Sequence, residues 1–502
     1  MRMILSNLVV LERFLTTRPD DRYTGIFNTT MTAIFYNSDA VTDQGPPSDL
    51  IIPISARQAA NNSVSHFTLP AQDATNTINF PRNARRAVFS VSANGQASEE
   101  FWWSNVLQQD VNTFNATAGP LPGYSPFREV QVLIDGKLAG VQWPFPVIFT
   151  GGVVPSLHRP IVGIHAFDLR EHEIDTTPFL PLLCDGAQHT FTIRVAGMND
   201  TPLAITDSVN ESWYVTGKVF VWLDDDPSSI TTGDLPTLHP DSYSYGYARG
   251  GPITDKKTGQ NETLYFTTDF KRTLHITNSR LVTQHTSSSA SWKQTLSCIN
   301  DATITAFGFN QVNDLLITGQ DESSLSTPNN ARYIYNYQYP LFANSSYSVS
   351  PEGGNLTIWA YLRQGKSLTV AGPSVFPSGL EAFPAQRQRG KGGHVARLNT
   401  TKEGTAEFRQ SGDARESTGW GSARQEFWFG VRWEGEREEE VLYKRDVEAV
   451  NGSVVYDRKQ MAGRDTVVGD GEEGGQGKVD AGAGAGVLVY AQVRVGEGKG
   501  VR

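Results

Sequence analysis

The feature that most constrains this chain is a train of short runs in which apolar and polar residues alternate. Such runs lie near residues 65–69, 85–94, 128–134, 138–142, 145–149, 161–169, 188–196 and 213–223. Period two is the signature of a strand with one face inward, because successive side chains point to opposite sides of the backbone. Asp135-Gly136 and Asp185-Gly186 supply turns between the runs. No stretch of helical periodicity separates them, which excludes a parallel α/β sheet and leaves an antiparallel sandwich or jelly roll. The 47 glycines and 26 prolines fit a chain rich in turns and loops.

The order of composition along the chain divides it. Ile4 to Leu15 and Gly25 to Tyr36 read as two strands, too few to close a sheet, so residues 1–36 look like the remnant of a larger domain. Residues 37–48 are a linker of Asn, Ser, Asp, Gly and Pro. Residues 49–225 form the first complete β block, and Asp224-Asp225-Asp226 before Pro227 end it; three acids could hold calcium, but no ligand spacing follows and a solvated turn is the better reading. A connection rich in Pro, Tyr and Gly covers 226–262. Strands resume over 263–460, among them Leu264–Thr268, Arg272–Thr277, Ala331–Gln338, Asn355–Tyr361, Gln425–Glu434 and Val447–Tyr456, around a loop-rich insert near 377–424. Residues 461–502 are low-complexity and Gly-rich, expected as a disordered tail with one late strand, Val487–Val495.

Charge and cysteine content exclude several functions. A net charge of −10 and a pI near 5.5 offer no basic face for nucleic acid. The two cysteines, Cys184 and Cys298, have no metal-ligand spacing; they either pair in an oxidising compartment or stay free in a core. No apolar run is long enough to span a bilayer. Asn-x-Ser/Thr sequons at Asn28, Asn61, Asn115, Asn199, Asn210, Asn261, Asn344, Asn355, Asn399 and Asn451 point to the secretory pathway, extracellular or vacuolar. Met1 to Leu15 is interrupted by Asn7, Glu12 and Arg13 and does not read as a signal peptide.

Chemistry-bearing residues concentrate in 98–186. Glu99-Glu100-Phe101-Trp102-Trp103 opens the stretch; Phe127-Arg128-Glu129-Val130 and Trp143-Pro144-Phe145-Pro146-Val147-Ile148-Phe149-Thr150-Gly151-Gly152 come next, then His158-Arg159-Pro160 and Thr177-Pro178-Phe179-Leu180. Carboxylates beside indole rings suit a sugar-bearing substrate: rings cover apolar sugar faces and carboxylates hold hydroxyls or move protons.

These phrases, with Tyr23-Thr24-Gly25, Phe27-Asn28-Thr29-Thr30, Asp49-Leu50-Ile51, Pro53-Ile54-Ser55 and Asp185-Gly186 before His189, resemble the peptide N-glycanase A family of fungi and plants. The resemblance is dense over 23–225 and weakens beyond about residue 270. More remotely the chain is similar to a bacterial peptide N-glycosidase built from two side-by-side antiparallel jelly rolls. That likeness implies a second jelly roll over 49–225 and a first one represented only by residues 1–36. The family's upstream strand resembling Gln-Phe-Asp-Arg-Leu, with its catalytic aspartate, has no counterpart here, which suggests a fungal, N-terminally truncated member. The implied activity is hydrolysis of the amide between N-acetylglucosamine and asparagine in N-linked glycopeptides or glycoproteins, by a monomer with no metal or organic cofactor. A non-catalytic glycan-binding sandwich is the alternative.

The resemblance makes Glu100 the first candidate acid, as the glutamate before an aromatic pair. Glu99, on the opposite face of a regular strand, is expected to hold structure by hydrogen bonds. Trp102 and Trp103 either stack on the sugar core or fill the protein core. Arg128 and Glu129 form a mutual salt bridge or a substrate clamp. Trp143 sits in a Pro-stiffened segment able to hold its ring at a cleft edge. Gly151-Gly152 is a tight turn or a place where amides meet a carbonyl oxygen. His158 stands where many relatives have Trp and reads as a hydrogen-bonding loop residue; Arg159 is placed to bind a carboxylate or a sugar hydroxyl. Asp168, Glu171, Glu173 and Asp175 read as surface or turn acids.

Overall fold

Alternating sequence becomes two kinds of sheet. The computed structural model describes residues 30–35, 48–55, 65–149, 151–161, 170–326, 331–372, 394–433, 439–461, 464–467 and 489–494. Strand β1 (Thr30–Phe35) pairs antiparallel with the late strand β26 (Val489–Arg494). The expected strands at 4–15 and 161–169 fall almost wholly outside the described residues.

The 49–225 block is an antiparallel sandwich. Its strands are β2 (Leu50–Pro53), β3 (Phe67–Leu69), β4 (Thr75–Asn79), β5 (Ala84–Gly95), β6 (Glu129–Ile134), β7 (Lys137–Gln142), β8 (His172–Asp175), β9 (Gln188–Asp200), β10 (Leu203–Thr206) and β11 (Trp213–Leu223). One sheet runs β2-β11-β5-β8 with β3 also on β11; the other runs β10-β9-β6-β7 with β4 also on β9. Alternation explains the interior: Phe89, Val91, Val215 and Val219 from the first sheet meet Val130, Val132, Phe191 and Ile193 from the second, all buried. The Phe89 and Phe191 rings stack at 6.1 Å. Residues 145–149, expected as a strand, are irregular; Pro144 and Pro146 have no N–H to give a ladder.

After residue 225 the chain builds one long meander. Short pieces β12 (Thr232–Gly233), β13 (Thr237–Leu238), β14 (Ser242–Arg249) and β15 (Ile253–Thr254) all pair with β16 (Asn261–Val282). Each later strand then pairs with the next: β17 (Ser287–Thr305), β18 (Asn310–Leu325), β19 (Ala331–Val349), β20 (Leu356–Ala371), β21 (His394–Gln410), β22 (Ser417–Trp433), β23 (Glu440–Val450), β24 (Ser453–Met461) and β25 (Arg464–Val467). The two runs expected at 264–268 and 272–277 are a single strand. Asp269 and Lys271 between them share the outer face as a 2.7 Å ion pair while Phe270 stays inside, so the alternation never breaks.

Three further expectations change. The span 377–424 is not loop in its described part, where β21 and the first part of β22 occupy it; their polar residues form the outer face of an amphipathic ladder. The run 447–456 is a hairpin turning at Asn451-Gly452, both at positive φ, the arrangement a two-residue turn requires. Cys184 and Cys298 are separate, buried thiols rather than a disulfide. No helix among the described residues is long and apolar enough to cross a membrane.

The meander's buried face closes the open side of the sandwich, where the edge strands β7 and β8 would otherwise present unpaired backbone. A row of inward amides does the clasping. Gln294 on β17 donates to and accepts from the Val141 backbone, both at 2.8 Å. Asn300 donates to the Trp103 carbonyl at 2.8 Å, Gln311 to that of Ser104 at 2.6 Å, and Gln364 to that of Pro146. The irregular backbone at Trp103, Ser104 and Pro146 is therefore held against the meander rather than left on a free surface.

Candidate active site

The site region begins where β5 stops. A Cβ at Gly95 would lie 2.2 Å from the Glu99 carbonyl oxygen, so only glycine lets the chain double back there. The chain then makes a pair of 3-10 turns, Ala97–Glu99 and Trp102–Ser104, rather than the expected strand. Glu99 and Glu100 still point apart, one into the protein and one outward.

Glu99 is fully buried and accepts from five donors. Arg128 binds it through Nε at 2.6 Å and Nη2 at 2.7 Å, Trp213 through Nε1 at 2.7 Å, and Asn210 through its backbone N–H at 2.9 Å and Nδ2 at 3.0 Å. Burial alone would raise its carboxyl, but Arg128, Trp213 and Asn210 together hold it below the ordinary carboxylate value. The other guanidinium nitrogen, Nη1, donates to the carbonyls of Tyr124, Ser125 and Phe127, which fixes the 124–127 loop. Asn210 heads a sequon, yet its amide nitrogen is spent on Glu99 and the Gly123 carbonyl.

Arg128 immediately precedes β6 and Glu129 opens it, and the two side chains face opposite ways, so the expected mutual pair does not form. Glu129, also fully buried, instead meets Arg272 of β16 at 2.5 Å, with Trp143 Nε1 at 3.0 Å and Gln131 Nε2 at 2.8 Å. Arg272 reaches Asp241 through its other terminal nitrogen, also at 2.5 Å. Trp143 is not at a cleft edge: it is buried, edge-on to Phe127 at 5.0 Å. Trp102 and Trp103 are buried as well, which removes both as exposed stacking platforms.

His158 is likewise enclosed, its ring about the Gly404 position of β21, where a Cβ would lie 3.1 Å from its Cε1. Burial, and Lys402 nearby, hold its pKa well below the ordinary histidine value, so the ring is neutral. Asp175 is no surface acid: it is buried, accepting from Ser323 Oγ of β18 and the Thr177 N–H. Glu171 bonds Ser90 and pairs with Lys218 at 2.7 Å. Asp168 lies outside the described residues.

Two of the candidates reach solvent, Glu100 and Arg159. The Glu100 carboxylate, half-buried, has no hydrogen bond or ion pair to any described residue, and burial raises its pKa. A turn at Gly151-Gly152 brings the two regions together. A Cβ at Gly152 would lie 3.5 Å from the ring of Phe101, next to Glu100; one at Gly151 would lie 3.7 Å from Arg159 Nη2. Gly151 has φ +82°, a conformation that suits glycine. Both turn amides are spent internally, on the carbonyls of Leu157 and Phe149, so the turn does not present them to a ligand. Glu100 and Arg159 thus flank one turn, the acid unsatisfied among the described residues and raised in pKa by burial. Among the described residues no group of three or more His, Cys, Asp or Glu is placed to hold a metal ion.

Asn210, Trp213, Asp241 and Arg272 escaped sequence reasoning. Nothing in a linear pattern couples residue 99 to 210–213 or residue 129 to 272; alternation marks each as inward or outward and leaves its partner open.

Comparison with known proteins finds two stretches of the chain matched by one family. Residues 13–237 match the family described as peptide N-acetyl-beta-D-glucosaminyl asparaginase amidase A, and residues 265–341 match that family's C-terminal domain, PNGase_A. The peptide-N4-(N-acetyl-beta-glucosaminyl)asparagine amidase A of Prunus dulcis is 35% identical over 246 residues, a match covering 46% of this chain and 40% of the Prunus protein. The chain thus spans about two fifths of the length of that relative. No solved structure matches it. With the first β block and the start of the meander each matched in order, the chain belongs to the peptide N-glycanase A family.

Proposed function

We propose that this protein hydrolyses the amide between N-acetylglucosamine and asparagine in N-linked glycopeptides and glycoproteins, with Glu100 as an acid–base residue. The observation that carries the reading is the Glu100 carboxyl, half-buried, unpartnered among the described residues and raised in pKa, close to the turn that holds exposed Arg159. A carboxylate of raised pKa is a stronger base than an ordinary one, which suits it to take a proton from attacking water. Water adds to the side-chain carbonyl carbon, the departing nitrogen takes up a proton, and the peptide keeps an aspartate. The released glycosylamine then loses ammonia. Arg159 supplies positive charge for the substrate's carbonyl oxygen or a neighbouring carboxylate. The protein works as a monomer of the secretory pathway in this reading.

The test is incubation of the chain with an N-glycopeptide and mass spectrometry for asparagine turned to aspartate. Conversion by the parent chain and its loss in Glu100→Gln support the proposal. Undiminished conversion by Glu100→Gln sinks the assignment of the acid. Binding of the glycopeptide without any conversion makes the protein a glycan-binding member of its family.

A further inference from the structure

At the edge of the meander beyond β16, β14 meets the sandwich through Tyr245, whose ring lies 6.4 Å from that of Phe127, and through Arg249, which pairs with Asp110 at 2.5 Å, while Tyr243 projects to solvent. Tyr243, Tyr245 and Tyr247 alternate along this edge strand and pair in register with Arg272, Phe270 and Thr268 of β16, so all six share the inner face. Tyr245 packs edge-on against Phe270 at 5.8 Å. Tyr243 stacks on Tyr245 with centroids 5.1 Å apart and planes 17° off parallel, and remains 64% exposed. Tyr247 is 37% exposed. The rings form a step that leads from the core to solvent.

Beside that step lies the Glu129–Arg272–Asp241 cluster. Arg272 is 6% exposed and sits between the two acids, which outweigh the effect of burial and hold its guanidinium charged. Three of the buried polar atoms here have no hydrogen-bond partner among the described residues: Arg272 Nε, Asp241 Oδ1 and Tyr245 Oη. They comprise a donor, an acceptor and a hydroxyl that can do either. Buried polar atoms without partners are costly, and a ligand that supplies the partners recovers that cost. One positive and two negative side chains also leave the cluster net negative, which disfavours phosphate, sulfate and carboxylate ligands.

A neutral pyranose matches both features. Its C–H face covers an aromatic ring, and its hydroxyls donate and accept within a few ångströms of one another. We propose that the β14 ledge is a carbohydrate-binding site, in which a neutral pyranose residue stacks on Tyr243 and exchanges hydrogen bonds with Asp241 Oδ1, Arg272 Nε and Tyr245 Oη. Its residues come from β14, β16 and the segment before β14, and none belongs to the Glu100–Arg159 pair. The site binds sugar whether or not the protein hydrolyses an amide.

Calorimetric titration of the full chain with two probes, N,N′-diacetylchitobiose and a mannose trisaccharide, tests it. At least one saccharide binds, and Tyr243→Ala and Asp241→Asn each weaken that binding by about tenfold or more, the equivalent of one lost contact. Tyr243 is mostly exposed, so its replacement leaves the fold intact, and an unchanged unfolding midpoint verifies this. Tyr347→Ala, which removes another exposed ring remote from the cluster, leaves binding unchanged. The proposal is overturned if neither saccharide binds at about 10 mM, the range of weak single-site sugar affinity, or if Tyr243→Ala binds as tightly as the parent. Glycopeptide hydrolysis is read separately, so failure here leaves the assignment of Glu100 standing, and the reverse also holds.

Discussion

Adjacent glutamates with opposite fates offer the sharpest test of the site. Glu99→Gln keeps the shape of the side chain but replaces an acceptor of five hydrogen bonds with an amide that has a single acceptor oxygen. Its NH2 group then faces the Arg128 guanidinium or the Trp213 and Asn210 donors, and the positive charge of Arg128 is left buried without its counterion. Breaking a buried ion pair on one side costs about 3–5 kcal/mol. Glu100→Gln has no such partner to lose, and substitutions of that kind stay within about 0.5 kcal/mol. With a urea dependence of about 3 kcal/mol per molar, the first variant lowers the unfolding midpoint by about 1 M or more and the second leaves it in place. Indole fluorescence is the natural readout, because Trp213 donates directly to Glu99. The stabilisation from Glu99 also has a pH signature. Its folded pKa lies below the ordinary 4.5, so the contribution is present above that value and is lost as pH falls through the depressed one. Equal destabilisation by the two variants, or a stable Glu99→Gln, would refute the division of labour between a structural and a chemical glutamate.

The clasp and the buried acids lead to other outcomes. Gln294→Ala strips both backbone groups of Val141 of their partners and is expected to cost about 2–4 kcal/mol, with faster proteolysis of the 98–161 stretch; an unchanged unfolding midpoint would count against the clasp. Gly95→Ala drives a methyl into the Glu99 carbonyl and should abolish soluble expression or lower the midpoint steeply, a result that soluble yield reads directly. Asp321, pushed up to about 8 by burial, lies 3.3 Å from His172, which burial and Lys366 hold down at about 4. The folded Asp321 keeps a proton that the unfolded chain releases above 3.8, so its contribution fades as pH rises toward 8. His172 works the other way, contributing above 6.5 and losing that contribution as pH falls toward 4. The two slopes oppose each other below pH 6.5. From 6.5 to 8 only that of Asp321 remains, and stability should fall by about 2 kcal/mol over the interval. Urea midpoints at the two ends measure the fall, and Asp321→Asn should flatten it; a flat parent profile would show that the pair is not neutral.

Much of the fold was legible because period-two patterning is a local property. The runs near 85–94, 188–196 and 213–223 emerge as β5, β9 and β11, the last with the expected bounds and β9 longer at its C-terminal end. Local pattern failed where the backbone departs from period two for a reason written elsewhere. The 98–104 turns depend on the Gly95 approach, and the polar strands β21 and β22 depend on one face being solvated. The Asn451-Gly452 turn was a readable signal that the run around it obscured.

Residue types in the linear order of the chain determined that it would be antiparallel β, where its turns fall, and which phrases link it to a deglycosylating family. Tertiary structure alone decided which of those phrases meets water. Glu129 and His158 are enclosed because Arg272 and the strand around Gly404, more than a hundred residues later, close over them, and Asn300 holds the Trp103 backbone there; Arg128 is enclosed within the sandwich by Glu99 and the 123–127 carbonyls. Burial and pairing depend on what arrives from distant strands, and a period of two specifies only the side from which it comes.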